Sequence, residues 1–138
     1  MKLSKQLQVF LLYARSDQVL VRHLYRRLIK EGADVWRDRE KILPGQDWQY
    51  EIRKAIQNSD LVIVCLSRQF NKLGGYRHEE LKIALAKARS LPEGRSFIIP
   101  ARLEMCELPE SLHRWQRVDL FETSGYKKLV EALRRQIL

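Results

Sequence analysis

An α/β fold built on a five-stranded parallel sheet is predicted by three observations. Strand and helix patterns alternate along the whole chain, one strand is apolar without interruption, and each longer helix carries a single apolar stripe. The first two meet in residues 35–67, VWRDREKILPGQDWQYEIRKAIQNSDLVIVCLS. There the run LVIVCL has no polar position, as expected of a strand covered by helices on both faces.

The elements follow in order. Residues 9–13 read as an apolar strand, with Ser16 or Asp17 as the cap of the helix after it. Leu20, Leu24 and Leu28 give that helix a buried stripe, and Gly32 closes it. Residues 33–36 form a short strand running into charge, and Pro44-Gly45 then sets a turn, proline presetting φ and glycine freeing it. From Asp47, the residues Trp48, Ile52, Ala55 and Ile56 recur at helical spacing, until Asn58-Ser59-Asp60 stops the helix before strand 61–66. Residues 76–89 read as a helix with Leu81, Leu85 and Ala88 on one side, and residues 97–101 as the next strand. Residues 117–120 give a weak last strand, and residues 126–138 a closing helix with Leu129, Leu133 and Ile137 along one face. The sequence contains neither an internal repeat nor a low-complexity segment.

At 138 residues the chain is expected to be one domain, 1–138, and its stop directly after the last helix suits a segment of a larger multidomain protein. No apolar run reaches membrane-spanning length and no signal peptide is evident, so no membrane partner is expected. Two cysteines, Cys65 in a predicted strand and Cys106 in a loop, suit a reducing, cytoplasmic setting. Lysine and arginine total 26 against 17 acids, an excess of nine that favours an anionic ligand without specifying one. Arg22, Arg26, Arg27 and Lys30 are spread over a solvated helix face with no recognition motif beside them, so direct nucleic-acid binding is not expected.

A βα alternation of this size fits the flavodoxin-like strand order 2-1-3-4-5, with helices on both faces in three layers and sites at the carboxyl ends of the strands. Three segments meet there: Tyr13-Ala14-Arg15, residues 36–45 and residues 67–80. Other uses of this fold lack their residues. A phosphoacceptor receiver would carry an aspartate at the end of the third strand, where Ser67-Arg68 stand. A glycine-rich nucleotide loop after the first strand would replace Tyr13-Ala14-Arg15-Ser16-Asp17. His23, His78 and His113 are dispersed and neither cysteine has an evident base beside it, so no metal site and no thiol chemistry are expected.

VFLLYARSD near the start, WRD with the LPG turn, the EIRKAIQNSD helix exit and GYRHEELKIAL resemble, in that order, the motifs of a Toll/interleukin receptor (TIR) domain. The similarity spans nearly the whole chain and is nearest to bacterial TIR domains, whose later part also resembles IIPARLEMCELPESL. Some members of that family are adaptors that only associate. Others cleave NAD+ between nicotinamide and ribose, using a glutamate at the start of the helix after the third strand, often four residues after a tryptophan. Here Tyr76 aligns with that tryptophan and Glu80 with the glutamate, and Glu79 is adjacent. Tyrosine keeps the aromatic ring and loses the indole.

The resemblance therefore implies an NAD+ nucleosidase that releases nicotinamide with ADP-ribose or a cyclic ADP-ribose. NAD+ is the substrate and no cofactor is required. Glu80 is the expected catalytic carboxylate, while a pair of acids at a helix N-terminus is the bland alternative. Tyr13, Ala14, Arg15, Trp36, Asp38, Ser67 and Tyr76 are the expected substrate-binding positions. Five of these have an ordinary structural reading as well: Tyr13 and Arg15 as strand terminus, Trp36 as core, Asp38 and Ser67 as turn caps. Trp48 reads as core. Arg39, Glu40, Lys41, Ile42, Leu43, Pro44 and Gly45 resemble the loop through which TIR domains pack against one another. Partners are thus expected to be other TIR domains, in a homo-oligomer or filament formed on activation in bacterial defence or cell death. A non-enzymatic interaction module is the alternative, and a virulence protein mimicking host adaptors is a third class.

Overall fold

The structure, a computed structural model, describes residues 6–37, 41–72 and 76–136, with the side chains of residues 76 and 77 excepted. Its sheet has the order β2-β1-β3-β4-β5, all parallel, formed by β1 (Gln8–Leu12), β2 (Asp34–Arg37), β3 (Leu61–Leu66), β4 (Ile98–Arg102) and β5 (Val118–Asp119). β3 lies at the centre and every one of its residues is buried, which is the condition its unbroken apolar run anticipates.

Alternation along the strands divides the core in two. Val9, Leu11 and Tyr13 face a cluster with Val21, Leu24 and Leu28 of α1 (Gln18–Lys30) and Leu129 and Leu133 of α5 (Gly125–Arg135). Phe10, Leu12 and Ala14 face Ile52 and Ile56 of α2 (Trp48–Asn58), Phe70 of α3 (Arg68–Lys72), and Leu81, Ala84, Leu85 and Ala88 of α4 (Tyr76–Ser90). The expected three-layer arrangement is therefore present.

Local chemistry explains the boundaries. α1 ends in a Schellman motif: Gly32, at φ 99°, donates to the Ile29 carbonyl and Ala33 to the Leu28 carbonyl. The start of α1 departs from expectation. Residues Arg15–Asp17 form a 3₁₀ turn, and neither the Ser16 nor the Asp17 side chain caps the helix. The buried stripe is Val21, Leu24 and Leu28, leaving Leu20 about half exposed. Ile137 of the expected final stripe lies outside the described residues.

Pro100 sits inside β4, an interior strand, where a missing N–H would ordinarily break a ladder. In β4 the odd positions bond to β3, with Leu103 donating to the Leu66 carbonyl and Phe97 accepting from Val62. Even positions turn to β5, whose first paired residue, Val118, lies opposite Ala101. Pro100 thus faces the side where β5 has not yet begun. Gly125 begins α5 against the backbone of β5: a Cβ there would stand 2.0 Å from the Asp119 carbonyl oxygen. Only glycine permits that approach.

Candidate functional site

The chain leaving β2 is turned back by Leu43-Pro44-Gly45-Gln46. Gln46 donates to the Leu43 carbonyl at 3.1 Å, Leu43 donates to the Gln46 side chain at 2.7 Å, and Gly45 has φ 89°. Proline before a positive-φ glycine is the pattern of a type II turn. Asp47 follows as N-cap of α2, its carboxylate accepting from the Gln49 and Tyr50 amides at 3.1 and 3.2 Å. Turn and cap together place Trp48 at the head of α2, facing the head of α4.

Between those two helix heads lies a hollow of about 170 Å³, lined by Trp48, Gln49, Ile52 and Arg53 from α2 and by Glu79, Glu80 and Ile83 from α4. The two acids differ sharply. Glu79 is mostly exposed and pairs with Lys82 at 3.4 Å, an ordinary surface i,i+3 contact. Glu80 is 2% exposed. Glutamate is among the residues least often buried to that degree. The hollow is smaller than the 300–1,000 Å³ usual for drug-sized ligands. It suits one ring of a ligand, with the remainder lying outside it.

The family model described as TIR domain matches residues 9–135. The chain belongs to the TIR domain family. The uncharacterized protein y4cD of Sinorhizobium fredii (strain NBRC 101917 / NGR234) is 30% identical over 112 residues, which are 80% of this chain and 17% of that protein. The chain therefore spans under a fifth of the length of that curated relative. Among solved structures, the TIR domain of the Toll-related receptor TRR-2 from Hydra magnipapillata has a TM-score of 0.76 at 24% identity, covering 94% of this chain and 99% of that one. The TIR domains of the activated Roq1 resistosome, which directly recognizes the pathogen effector XopQ, score 0.71 at 18% identity, covering 94% and 98%. The CMP N-glycosidase BcmB of Clostridium botulinum scores 0.57 at 18% identity, covering 90% and 98%. At such identities these structures show a shared fold.

Within this TIR domain, the expected site residues separate. Ala14 and Trp36 lie on the α2/α4 side of the sheet, Trp36 stacked on Phe10 with ring centroids 5.4 Å apart. Tyr13 lies on the other side, buried in the α1/α5 core, and the structure does not bring it to Glu80. The cause is strand alternation, which sends neighbouring residues to opposite faces. Arg15 is exposed on the 3₁₀ turn after β1. Ser67 is buried, accepting from the Phe70 amide at 3.0 Å and donating to Asp17, so it anchors α3 to the turn after β1. Tyr76 begins α4. Asp38, Arg39 and Glu40 lie outside the described residues. In the rest of the loop, Lys41 pairs with Asp34 at 3.4 Å, Ile42 packs on the core, and Leu43 is 66% exposed.

Trp48 departs from its reading as core alone: it packs on the core and also lines the hollow. Gln49 and Arg53 line it as well, and nothing in their helical spacing marks them beyond facing away from the stripe. A second polar centre lies at the carboxyl end of β4. Arg102 reaches Asp119 with Nε at 2.7 Å and Nη2 at 2.9 Å, and its Nη1 donates to the Cys106 carbonyl at 2.8 Å. This hydrogen-bonded guanidinium holds the Asp119 carboxyl below its usual range, and Asp119 in turn raises Arg102. The pair ties the loop after β4 to β5, and that loop grips α3, with Glu104 accepting from the Arg68 amide and the Glu107 carbonyl accepting from Asn71, both at 2.8 Å. Both cysteines are free. Burial pushes each thiol above its usual value, which suits packing rather than nucleophilic work.

Proposed function

We propose that this TIR domain is an NAD+ nucleosidase of the bacterial type in which Glu80 acts at the nicotinamide ribose. The observation that carries the reading is a nearly fully buried glutamate beside a hollow between α2 and α4, with an aromatic wall at Trp48. Nicotinamide leaves as a neutral molecule from a positively charged pyridinium, so no acid is needed to protonate it. Positive charge develops at the ribose in an oxocarbenium-like transition state. A carboxylate fixed by its helix stabilises that charge without reorganising and accepts hydrogen bonds from the ribose hydroxyls. Water capture then gives ADP-ribose, and an internal nucleophile gives a cyclic product. A CMP N-glycosidase shares this fold. That supports N-glycosidic chemistry on a nucleotide for the architecture.

The hollow takes one ring, so the rest of the dinucleotide needs further walls. We assign these to the loop of residues 39–45 and to a second copy of the domain, which makes self-association the activating event. The exposed Leu43 supports this, as does the assembled state of the Roq1 TIR domains. The setting proposed is an effector domain of a larger cytoplasmic protein in bacterial defence or cell death. Among the described residues no helix is long and apolar enough to cross a membrane. The exposed loop is also what a non-enzymatic interaction module would present, and catalysis separates the two readings.

The test is nicotinamide release from NAD+ by the purified protein over a range of concentrations, with chromatography of the product. The proposal expects release that rises faster than linearly with protein concentration. Absence of release even when the domain is forced to oligomerise would leave the interaction module.

A further inference from the structure

We propose that Lys87 is a positioning residue for the Glu80 site, clamping the carboxyl end of α2 to α4 and thereby setting the separation of the two helices at the hollow. For its kinetic consequences this rests on the NAD+ reading above.

Lys87 lies seven residues beyond Glu80, two turns along α4 and on the same stripe, about 10 Å away along the axis. Its ammonium donates to the carbonyls of Gln57 at 2.6 Å, Ser59 at 2.8 Å and Ile56 at 3.4 Å. An ammonium has three donors, and here each has an acceptor. Those carbonyls belong to the end of α2, where a helix leaves its last C=O groups unsatisfied and carries partial negative charge. α2 therefore draws its C-terminal cap from another helix. Ser59 completes the end by donating its hydroxyl to the Ala55 carbonyl at 2.6 Å. The cation also stands 4.5 Å from the centroid of the Phe97 ring, at the foot of β4.

A lysine without a task at this place would extend its charge into water. Here burial pushes its pKa below the usual value, Arg95 adds to that push, and Asp60 opposes it. The cation is retained against that cost by the geometry of its acceptors.

The consequence lies at the far end of the same helix pair. α2 and α4 run side by side, with Trp48 and Glu80 at one end of the contact and the Lys87 clamp at the other. At the clamp the two helices are hydrogen-bonded together. At the hollow a gap lies between them, so their separation there is set by Ile52 and Ile56 on the sheet, by the partly buried Trp48, Ala55 and Ile83 beside them, and by the clamp. Releasing the clamp frees α2 to swing on its two isoleucines and moves Trp48 relative to Glu80.

The experiment compares Lys87→Met, which keeps length and removes charge, with Lys87→Arg, which restores donors. Amide hydrogen exchange is read over residues 48–54, at the hollow, and over residues 56–59, at the clamp. Nicotinamide release supplies kcat and KM. The expected result for Lys87→Met is faster exchange in both segments and kcat reduced roughly 10- to 100-fold with KM little changed, as for a misplaced catalytic geometry. Lys87→Arg should recover both toward the parent protein. Faster exchange confined to residues 56–59, with kcat unchanged, would overturn the proposal and leave Lys87 as a local cap. If Lys87→Met does not fold, Lys87→Gln carries the same comparison. If the parent protein releases no nicotinamide, the reading of Glu80 fails, and exchange at residues 48–54 still decides the clamp.

Discussion

The two helical layers of this domain are packed on the same sheet with different chemistry. On the α1/α5 side Val21, Leu24, Leu28, Leu129 and Leu133 meet Val9, Leu11 and Tyr13, side chains fasten the two helices together, and the one sizeable cleft described there, about 520 Å³ between α5 and the β4/β5 edge, is lined by Arg117, Lys128 and Arg135 with no acid. Arg27 lies 3.4 Å from the centre of the Tyr126 ring, and Arg134 pairs with Glu31 at 3.5 Å. On the α2/α4 side the helices pack at one end and part at the other, around a buried glutamate. Closing that gap with apolar side chains would bury more surface, at about 25 cal/mol per Å². A gap holding an acid is what packing alone would not select. The difference between the layers is therefore one of chemistry: the cleft beside α5 is basic, and the hollow between α2 and α4 has a buried acid beside it.

That contrast can be broken from the scaffold inward. Asp119→Ala strips Arg102 of a bidentate partner and leaves a buried cation, with an expected loss of about 3–5 kcal/mol in urea unfolding. The pH dependence has a definite sign. Because the folded carboxyl is held below its ordinary pKa near ~4, its contribution is complete above that value and is lost as pH falls through the lower folded one. In Asp119→Asn this acid-side slope should be absent. Gly125→Ala drives a Cβ into the Asp119 carbonyl and should cost about 2–3 kcal/mol by overpacking. If the protein tolerates it unchanged, α5 does not approach β5 as described.

Tyr13→Phe sharpens the division between the layers. As a residue of the α1/α5 core it should lose about 1 kcal/mol of stability, with kcat/KM for NAD+ within about twofold of the parent. A large rise in KM would return Tyr13 to the substrate. The smallest effect on stability is expected at Leu43→Ala, within about 0.5 kcal/mol for an exposed side chain. If the loop joins copies of the domain, the same substitution should lower nicotinamide release and shift its steep rise to higher protein concentration.

The sequence made the sheet order, the central strand and the buried faces of α2 and α4 legible, because each rests on a long apolar pattern. The face of α1 was not. Leu20-Leu24-Leu28 and Val21-Leu24-Leu28 both suit a helix, and the 3₁₀ turn ahead of it turns Val21 rather than Leu20 inward. The short α3 is too brief to show a period, so Ser67 carried two readings, ligand contact and turn cap, and its hydroxyl is seen to cap that helix. For Glu79 and Glu80, order in the chain left the pair ambiguous. Rotation about α4 separates them, one turned to solvent and one buried beside the hollow. Tyr13 and Ala14 were read together as neighbours in sequence, and strand alternation divides them between the two layers. Trp48 was legible as core, while its second face, toward Glu80, needs the placement of α4 to be seen.

The most direct measurement is the turnover of NAD+ by Glu80→Gln beside Glu79→Gln, at a protein concentration where the parent domain is assembled, with unfolding midpoints recorded for each. Each substitution keeps the shape and removes the charge. A group acting in the transition state typically contributes ~100- to 10,000-fold. A loss of that size is expected for Glu80→Gln in a folded protein, and near-parental turnover for Glu79→Gln. Equal turnover in both variants, or a loss at Glu79 alone, would contradict the role given to Glu80.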